Sequence, residues 1–378
     1  MRISMFLFGL FLMSISFLSA GTELPYASNA TAGFRNVARI EYVNPPSVEK
    51  KLELKNIDVS SPAKKVLDDL FEVNNSKALI ALQDSEIFYE RYRSATGRSD
   101  TPLGFSMSKS LAALTVGRAI CDGSISSIDD NLKKYVPALE GSSWGDATIQ
   151  SVLKMSSGAY PIDIKFNGHK SAEMQKVIGV GTLSGKMSEN FIDIMLKADE
   201  TSFEHGKRFN YNNLDTVALG LLVEGATGLP FARYFEKTIW AEIGAEARGA
   251  WVVNGKNQTS TYQGFSARPH DWVRIGALVL RELKNQDSCF GKFLKEATSK
   301  QIDVSGPGPA RGYGYQIWVQ CGTSDFCFVG FGGQYLLFNI EKNIVVYQHA
   351  TTFAKVVRWT PSVMSNLIQG LETVDSSN

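Results

Sequence analysis

A serine followed three residues later by a lysine can form a reactive pair if both lie on one helical turn. Ser106-Met107-Ser108-Lys109 is such a stretch. A serine hydroxyl is a weak nucleophile at neutral pH and needs a base beside it. A lysine buried among apolar neighbours holds its proton less tightly, which fits it for that work. The start of the helix adds backbone N–H groups and a positive dipole end, both suited to developing negative charge. The tetrad alone is not diagnostic, because Ser-x-x-Lys also occurs at Ser47–Lys50, Ser61–Lys64 and Ser151–Lys154. Ser61–Lys64 reads as a helix cap, and Ser151–Lys154 lies in an ordinary amphipathic stretch. The Ser106 copy stands apart: it follows the turn Thr101-Pro102-Leu103-Gly104 and opens a nearly uncharged helix. The plain alternative for Ser106 is another N-cap serine.

Two further stretches carry chemistry. Tyr211-Asn212-Asn213 stands where a polar loop meets a helix. A tyrosine hydroxyl beside a lysine can pass protons, and an asparagine amide can hold a substrate carbonyl. The plain alternative is a core tyrosine followed by an asparagine cap. Gly330-Phe331-Gly332-Gly333-Gln334 enters a strand, where glycines let the backbone approach a bound acyl group. Its plain alternative is a glycine-rich turn.

Together the three stretches resemble, in the same order, the motifs of serine β-lactamases and penicillin-binding proteins. The chain is most similar to the class C-like branch that includes carboxylesterases and 6-aminohexanoate-dimer hydrolases. Glu86–Tyr92, Thr148–Gly158, Gly264–Leu278 around Arg268 and Asp271, and Gly312–Trp318 add to the likeness, which runs from about residue 75 to 350. The resemblance implies an acyl-enzyme on Ser106, proton relay by Lys109 and Tyr211, and substrate orientation by Asn213. It also implies an oxyanion hole from the backbone N–H groups of Ser106 and Gln334, with Phe331, Gly332 and Gly333 lining the substrate. One position departs from the pattern. β-Lactamases and D,D-peptidases place Lys or His where this chain has Phe331, and a phenyl ring offers no cation to a substrate carboxylate. The expected activity is therefore an esterase or amidase. A β-lactamase or D,D-peptidase and a non-catalytic binding protein of the same fold are the alternatives.

The elements around these motifs imply an α/β fold, with an antiparallel sheet flanked by helices and built from the N- and C-terminal segments. Ser61-Pro62 opens a helix with Val66, Leu67, Leu70 and Phe71 on one face. Ala78–Gln83 and Glu86–Tyr92 read as a hairpin about Asp84-Ser85. Helical stretches follow at Ile149–Met155, Glu189–Leu196, Leu214–Glu224, Phe231–Glu242 and Asp271–Leu283. Tyr313–Gln320, Phe326–Gly330, Tyr335–Asn339 and Ile344–His349 read as a meander, and Pro361 as the start of a last helix. The division expected is an α/β domain of residues 59–124 and 255–378 interrupted by a helical domain of residues 125–254. Residues 21–58 form an extended lead-in.

Residues 1–20 read as a secretory signal peptide, with Arg2, an apolar run from Ile3 to Leu18, and small residues through Ala20. A periplasmic or secreted enzyme follows, not stably inserted in a membrane. Export permits disulfides, and Cys321 with Cys327 is the favoured pair, leaving Cys121 with Cys289. The chain of 378 residues is 44% hydrophobic and carries a net charge of +1 from 39 basic and 38 acidic residues. That balance argues against a nucleic-acid partner and for a small-molecule ester or amide. No cofactor or metal is expected: there is no CxxC or HExxH, and His169, His205, His270 and His349 are dispersed. Gly181–Met187 misses the phosphate-loop spacing, and no GxSxG elbow occurs. Oligomeric state is left open.

Overall fold

The computed structural model describes residues 40–47, 55–56, 61–84, 86–93, 97–159, 190–196, 201–304, 309–321 and 324–350. In chain order the elements are β1 Ile40–Val43, β2 Lys55–Asn56, α1 Ser61–Val73, β3 Ser76–Gln83, β4 Glu86–Tyr92 and α2 Met107–Cys121. Short helices α3 Ser143–Asp146, α4 Ile149–Leu153 and α5 Phe191–Leu196 lead to α6 Asn213–Thr227 and α7 Phe231–Phe235. Then come β5 Gly249–Val252, β6 Phe265–Ser266, α8 Pro269–Lys284 and α9 Cys289–Ala297. The chain continues through β7 Ile302–Asp303, β8 Gly312–Tyr313, β9 Trp318–Cys321, β10 Ser324–Gly330, β11 Gln334–Asn339 and β12 Ile344–Ala350. The expected signal peptide and the helix from Pro361 lie outside the described residues.

Period-two alternation explains how the main sheet is covered on both faces. Leu79 and Ala81 of β3, Leu337 of β11 and Ile344 and Val346 of β12 pack with Leu67 and Phe71 of α1. The intervening Ile80 and Leu82, with Leu336, Phe338 and Val345, join the larger core formed with α2, α8 and α9. The nine strands run β2-β4-β3-β12-β11-β10-β9-β8-β7. β3 pairs with β12 antiparallel, Ile80 opposite Tyr347 and Leu82 opposite Val345, so the two ends of the chain meet in mid-sheet. Every neighbour pair is antiparallel except β2 with β4. Among the described residues between Cys121 and Gly249 the chain forms helices and turns, which matches the expected order of sheet, helical insertion and sheet.

Four details differ from the sequence reading. A second sheet, β1-β5-β6, joins the lead-in to the strand before α8; its strands have at most four residues, too short for alternation to show. The expected strand Tyr313–Gln320 folds back on itself, Tyr313 pairing with Trp318, because Gln316 takes φ 55°. The expected helix Phe231–Glu242 widens after Phe235 into a π-turn, Glu236–Trp240. Helix α9 was not anticipated, and its Cys289 bonds Cys121 at the end of α2. Cys321 bonds Cys327, so both expected pairs are present.

Candidate active site

Helix α2 is buried along nearly its whole length, Met107 through Gly117 included, whereas the preceding Ser106 is half-exposed. Ser106 already has helical backbone angles, φ −64° and ψ −8°, and its side chain makes no capping hydrogen bond. The hydroxyl is thus not spent on the helix end, and the capping alternative fails. Phe105, immediately before it, holds φ +48°, a left-handed conformation unusual for a bulky residue. The turn is pinned from β6: Gly104 N–H donates to the Phe265 carbonyl at 2.8 Å, and Phe265 N–H donates to Ser108 Oγ at 3.0 Å.

Lys109 is 1% exposed, and its Nζ lies 3.2 Å from Ser106 Oγ. The same nitrogen donates to the Tyr262 carbonyl at 2.8 Å and stands 4.9 Å from the centre of the Tyr211 ring. Burial pushes the lysine's proton affinity well below its ordinary value. A neutral amine that donates one N–H to a carbonyl still has a lone pair for the serine proton. Tyr262 was not singled out in the sequence; it contributes a backbone carbonyl, a group every residue has and no motif marks.

Tyr211 shares a side-chain hydrogen bond with Ser106, and burial raises its phenol above the usual value. Its ring stacks on Trp318 at 5.5 Å, 21° between planes, and lies edge-on to Tyr313. The backbone on either side is fixed, Asn210 N–H donating to the Met155 carbonyl at 2.7 Å. Asn212 caps α6, its side chain accepting from Leu214 N–H at 2.9 Å while donating to the Ala159 carbonyl. The cap alternative therefore holds for Asn212. Asn213, half-buried, begins the helix next to Tyr211.

The third stretch abuts the first. A Cβ added to Gly330 would fall 2.1 Å from the Gly104 carbonyl oxygen, so only glycine allows this approach. The Phe331 ring, 62% exposed, meets the Phe105 ring edge-on at 6.0 Å. Gly332 and Gly333 turn with φ 82° and 97°, and Gln334, buried, starts β11. Its side chain donates to the Ala350 carbonyl at 2.6 Å and bonds His349 Nδ1. His349 is thus a packing residue, and His270 pairs with Glu90 at 2.8 Å. Among the described residues no group of three His, Cys, Asp or Glu is arranged to hold a metal.

A family model named Beta-lactamase matches residues 78–359. The chain belongs to the β-lactamase family. As a member it is a hydrolase, and its curated relatives include a 6-aminohexanoate-dimer hydrolase of Paenarthrobacter ureafaciens, 27% identical over 221 residues. That match covers 57% of this chain and 54% of the relative, so the chain spans about half of that enzyme's length. A Bacillus anthracis structure provisionally assigned as a 6-aminohexanoate-dimer hydrolase superposes with a TM-score of 0.74 at 18% identity, covering 95% of this chain and 96% of its own. A penicillin-binding protein of Bacillus halodurans gives 0.61 at 15% identity, with 82% and 99% covered. Both share the β-lactamase/transpeptidase fold.

Proposed function

We propose that this β-lactamase-family hydrolase is an exported serine esterase or amidase that cleaves a small neutral substrate through an acyl-enzyme on Ser106. The observation that carries the reading is the uncapped Ser106 hydroxyl 3.2 Å from the buried amine of Lys109. In this scheme Lys109, neutral because it is buried, takes the serine proton as the carbonyl is attacked. Tyr211, a neutral phenol bonded to Ser106, hands its proton to the leaving group and takes back from Lys109 the proton that came from the serine, so both groups return to their starting states. Asn213 orients the substrate, and the N–H groups of Ser106 and Gln334 receive the oxyanion. Water then attacks the ester, regenerating the serine.

Phe331 favours an uncharged substrate at this rim over the carboxylate of a β-lactam or D-alanyl peptide. The two disulfides suit an oxidising compartment and support export to the periplasm or beyond. A fluorophosphonate probe is expected to label Ser106, and Ser106→Ala to abolish turnover of p-nitrophenyl butyrate while melting like wild type. Folded protein that neither labels at Ser106 nor turns over short esters, linear amides or nitrocefin would overturn the proposal.

A further inference from the structure

The Tyr262 carbonyl, acceptor for Lys109 Nζ at 2.8 Å, sits in the turn that leads into β6. The turn shapes itself: Gly264 N–H donates to the Ser260 carbonyl at 2.9 Å, and Gln263 N–H to the same oxygen at 3.4 Å. Shape alone does not place the turn against α2; two side chains do. Ser108 Oγ accepts from Phe265 N–H at 3.0 Å, beyond Tyr262 in the chain. Thr261, the residue just before Tyr262, donates from Oγ1 to the Thr216 carbonyl of α6 at 2.8 Å. A Cβ added to Gly220 would fall 2.8 Å from Thr261 Cγ2, so α6 carries a glycine where this side chain presses on it.

The bond from Thr261 is one link of a closed circuit. Thr216 Oγ1 donates to Gln316 Oε1 at 2.7 Å. Gln316 Nε2 donates to the Val152 and Leu153 carbonyls of α4 at 3.1 and 3.2 Å, and the Gln316 carbonyl accepts from Ser110 Oγ at 2.8 Å. The circuit thus leaves α2 at the Lys109 amine and runs through the Tyr262 turn, α6 and the left-handed Gln316. It returns to α2 at Ser110, the residue after Lys109. Thr216 and Thr261 are 0% exposed and Gln316 1%, so water does not compete for these bonds. Valine has the shape of threonine and would fill the place of Thr261 without the cost of burying a hydroxyl. The hydroxyl present instead ties the turn to α6.

We infer that Thr261, backed by Thr216 and Gln316, is a positioning residue that holds the Tyr262 carbonyl against the Lys109 amine and so aims the amine's lone pair at Ser106. The inference rests on the acyl-enzyme reading above. A neutral amine has two N–H groups and one lone pair, so fixing one N–H on a carbonyl limits the directions left to the lone pair. The same carbonyl stabilises the ammonium formed when the serine proton arrives, because a hydrogen bond to the charged form favours it. The rings of Tyr211 and Tyr262 face the amine, their centres 4.9 and 5.5 Å away. Thr261 is buried away from substrate, so its effect falls on proton transfer and not on binding.

The test compares Thr261→Val, Thr261→Ser and Gln316→Met with wild type. Two rates are read across pH: p-nitrophenyl butyrate turnover per site titrated with a fluorophosphonate, and the rate of fluorophosphonate labelling itself, which reports serine activation without deacylation. Thr261→Val is expected to lower kcat and the labelling rate roughly tenfold, with KM within about twofold. It is also expected to move the acidic limb of both profiles to lower pH, because the ammonium form of Lys109 loses its acceptor. Thr261→Ser, which keeps the hydroxyl, is expected to recover most of the rate and the wild-type limb. Gln316→Met, which cuts the circuit away from the turn, is expected to act in the direction of Thr261→Val, and less. A residue that only supported the fold would lower the melting temperature and the titrated fraction and leave the limb in place. If Thr261→Val does not fold, Gln316→Met decides by the same limb. Rates within about twofold of wild type, an acidic limb that stays or moves up, or equal losses in Thr261→Val and Thr261→Ser overturn the inference alone. Absence of wild-type turnover and labelling overturns the catalytic reading with it.

Discussion

The Lys109 amine lies 3.2 Å from the Ser106 hydroxyl while donating to the Tyr262 carbonyl at 2.8 Å. One turn of helix sets the first contact; burial sets the charge state. Lys109 sheds its proton far more readily in the fold than in the unfolded chain, where 10.5 is the ordinary value. Below 10.5 and above the folded value the unfolded chain binds the extra proton, so stability rises with pH across that window. Each unit of the window is worth about 1.4 kcal/mol. Lys109→Met removes this penalty. The variant is expected to lose on the order of 10²–10⁴ in kcat yet melt higher than wild type at pH 7. That margin should narrow as pH approaches 10.5. Thermal melts at several pH values check the sign, and a lower melting temperature at pH 7 would refute it.

Tyr211→Phe separates the two candidate bases. Burial keeps the phenol protonated, whereas the same burial frees the lysine of its proton. If Lys109 takes the serine proton, Tyr211→Phe lowers kcat but keeps the acidic limb of the pH–rate profile. The stack on Trp318 survives the change, so the fold should too. Loss of the limb in Tyr211→Phe would assign the titration to the tyrosine or to the coupled pair.

The sequence was most informative where local spacing decides geometry. Ser106 and Lys109 share a face because residues three apart on a helix do, and the lack of charge along α2 foretold its burial. The β-rich runs Ala78–Gln83 and Ile344–His349 marked the strands that pair in mid-sheet. What stayed hidden depends on contacts between distant segments. The left-handed Phe105 has no compositional signal, unlike a glycine at the same angle. Asn74 and Gln348 stand 274 residues apart and read as unremarkable polar residues until β12 is laid beside β11. β1 went unassigned because its register with β5, Tyr42 opposite Ala250, joins two four-residue strands of dissimilar pattern.

Asp215 offers a stability test away from the serine. It is fully buried in the first turn of α6, bonded by Trp144 Nε1 at 2.9 Å and Ser157 Oγ at 2.7 Å. Burial outweighs these bonds and raises its carboxyl from 3.8 to about 7. The folded state therefore binds more protons than the unfolded one between those values, so this group costs stability as pH rises from about 4 to about 7. Asp215→Asn keeps acceptors for Trp144 and Ser157 without the charge. It is expected to melt with wild type at pH 4 and above it at pH 8. Equal melting temperatures at both pH values would show that the carboxylate is solvated in the folded protein.

Phe331→Lys tests what the rim selects. Phe331 is 62% exposed, and its main packing partner in the turn is the edge of Phe105, so replacing it leaves the core intact. The turn glycines that follow keep their φ values, and with them the approach of Gly330 to Gly104. A lysine there would set an ammonium where a substrate carboxylate reaches the cleft, and hydrogen bonds between charged partners are roughly twice as strong as neutral ones. At so exposed a position the ion pair is worth at most about 1 kcal/mol, or roughly fivefold in rate. Acylation of Ser106 by a fluorescent penicillin is therefore expected to rise by about that factor, while p-nitrophenyl butyrate turnover changes less. Stopped-flow measurement of both reactions on one preparation gives the comparison. An equal change in both would mean that the phenyl ring shapes reactivity at the serine and does not choose between neutral and anionic substrates.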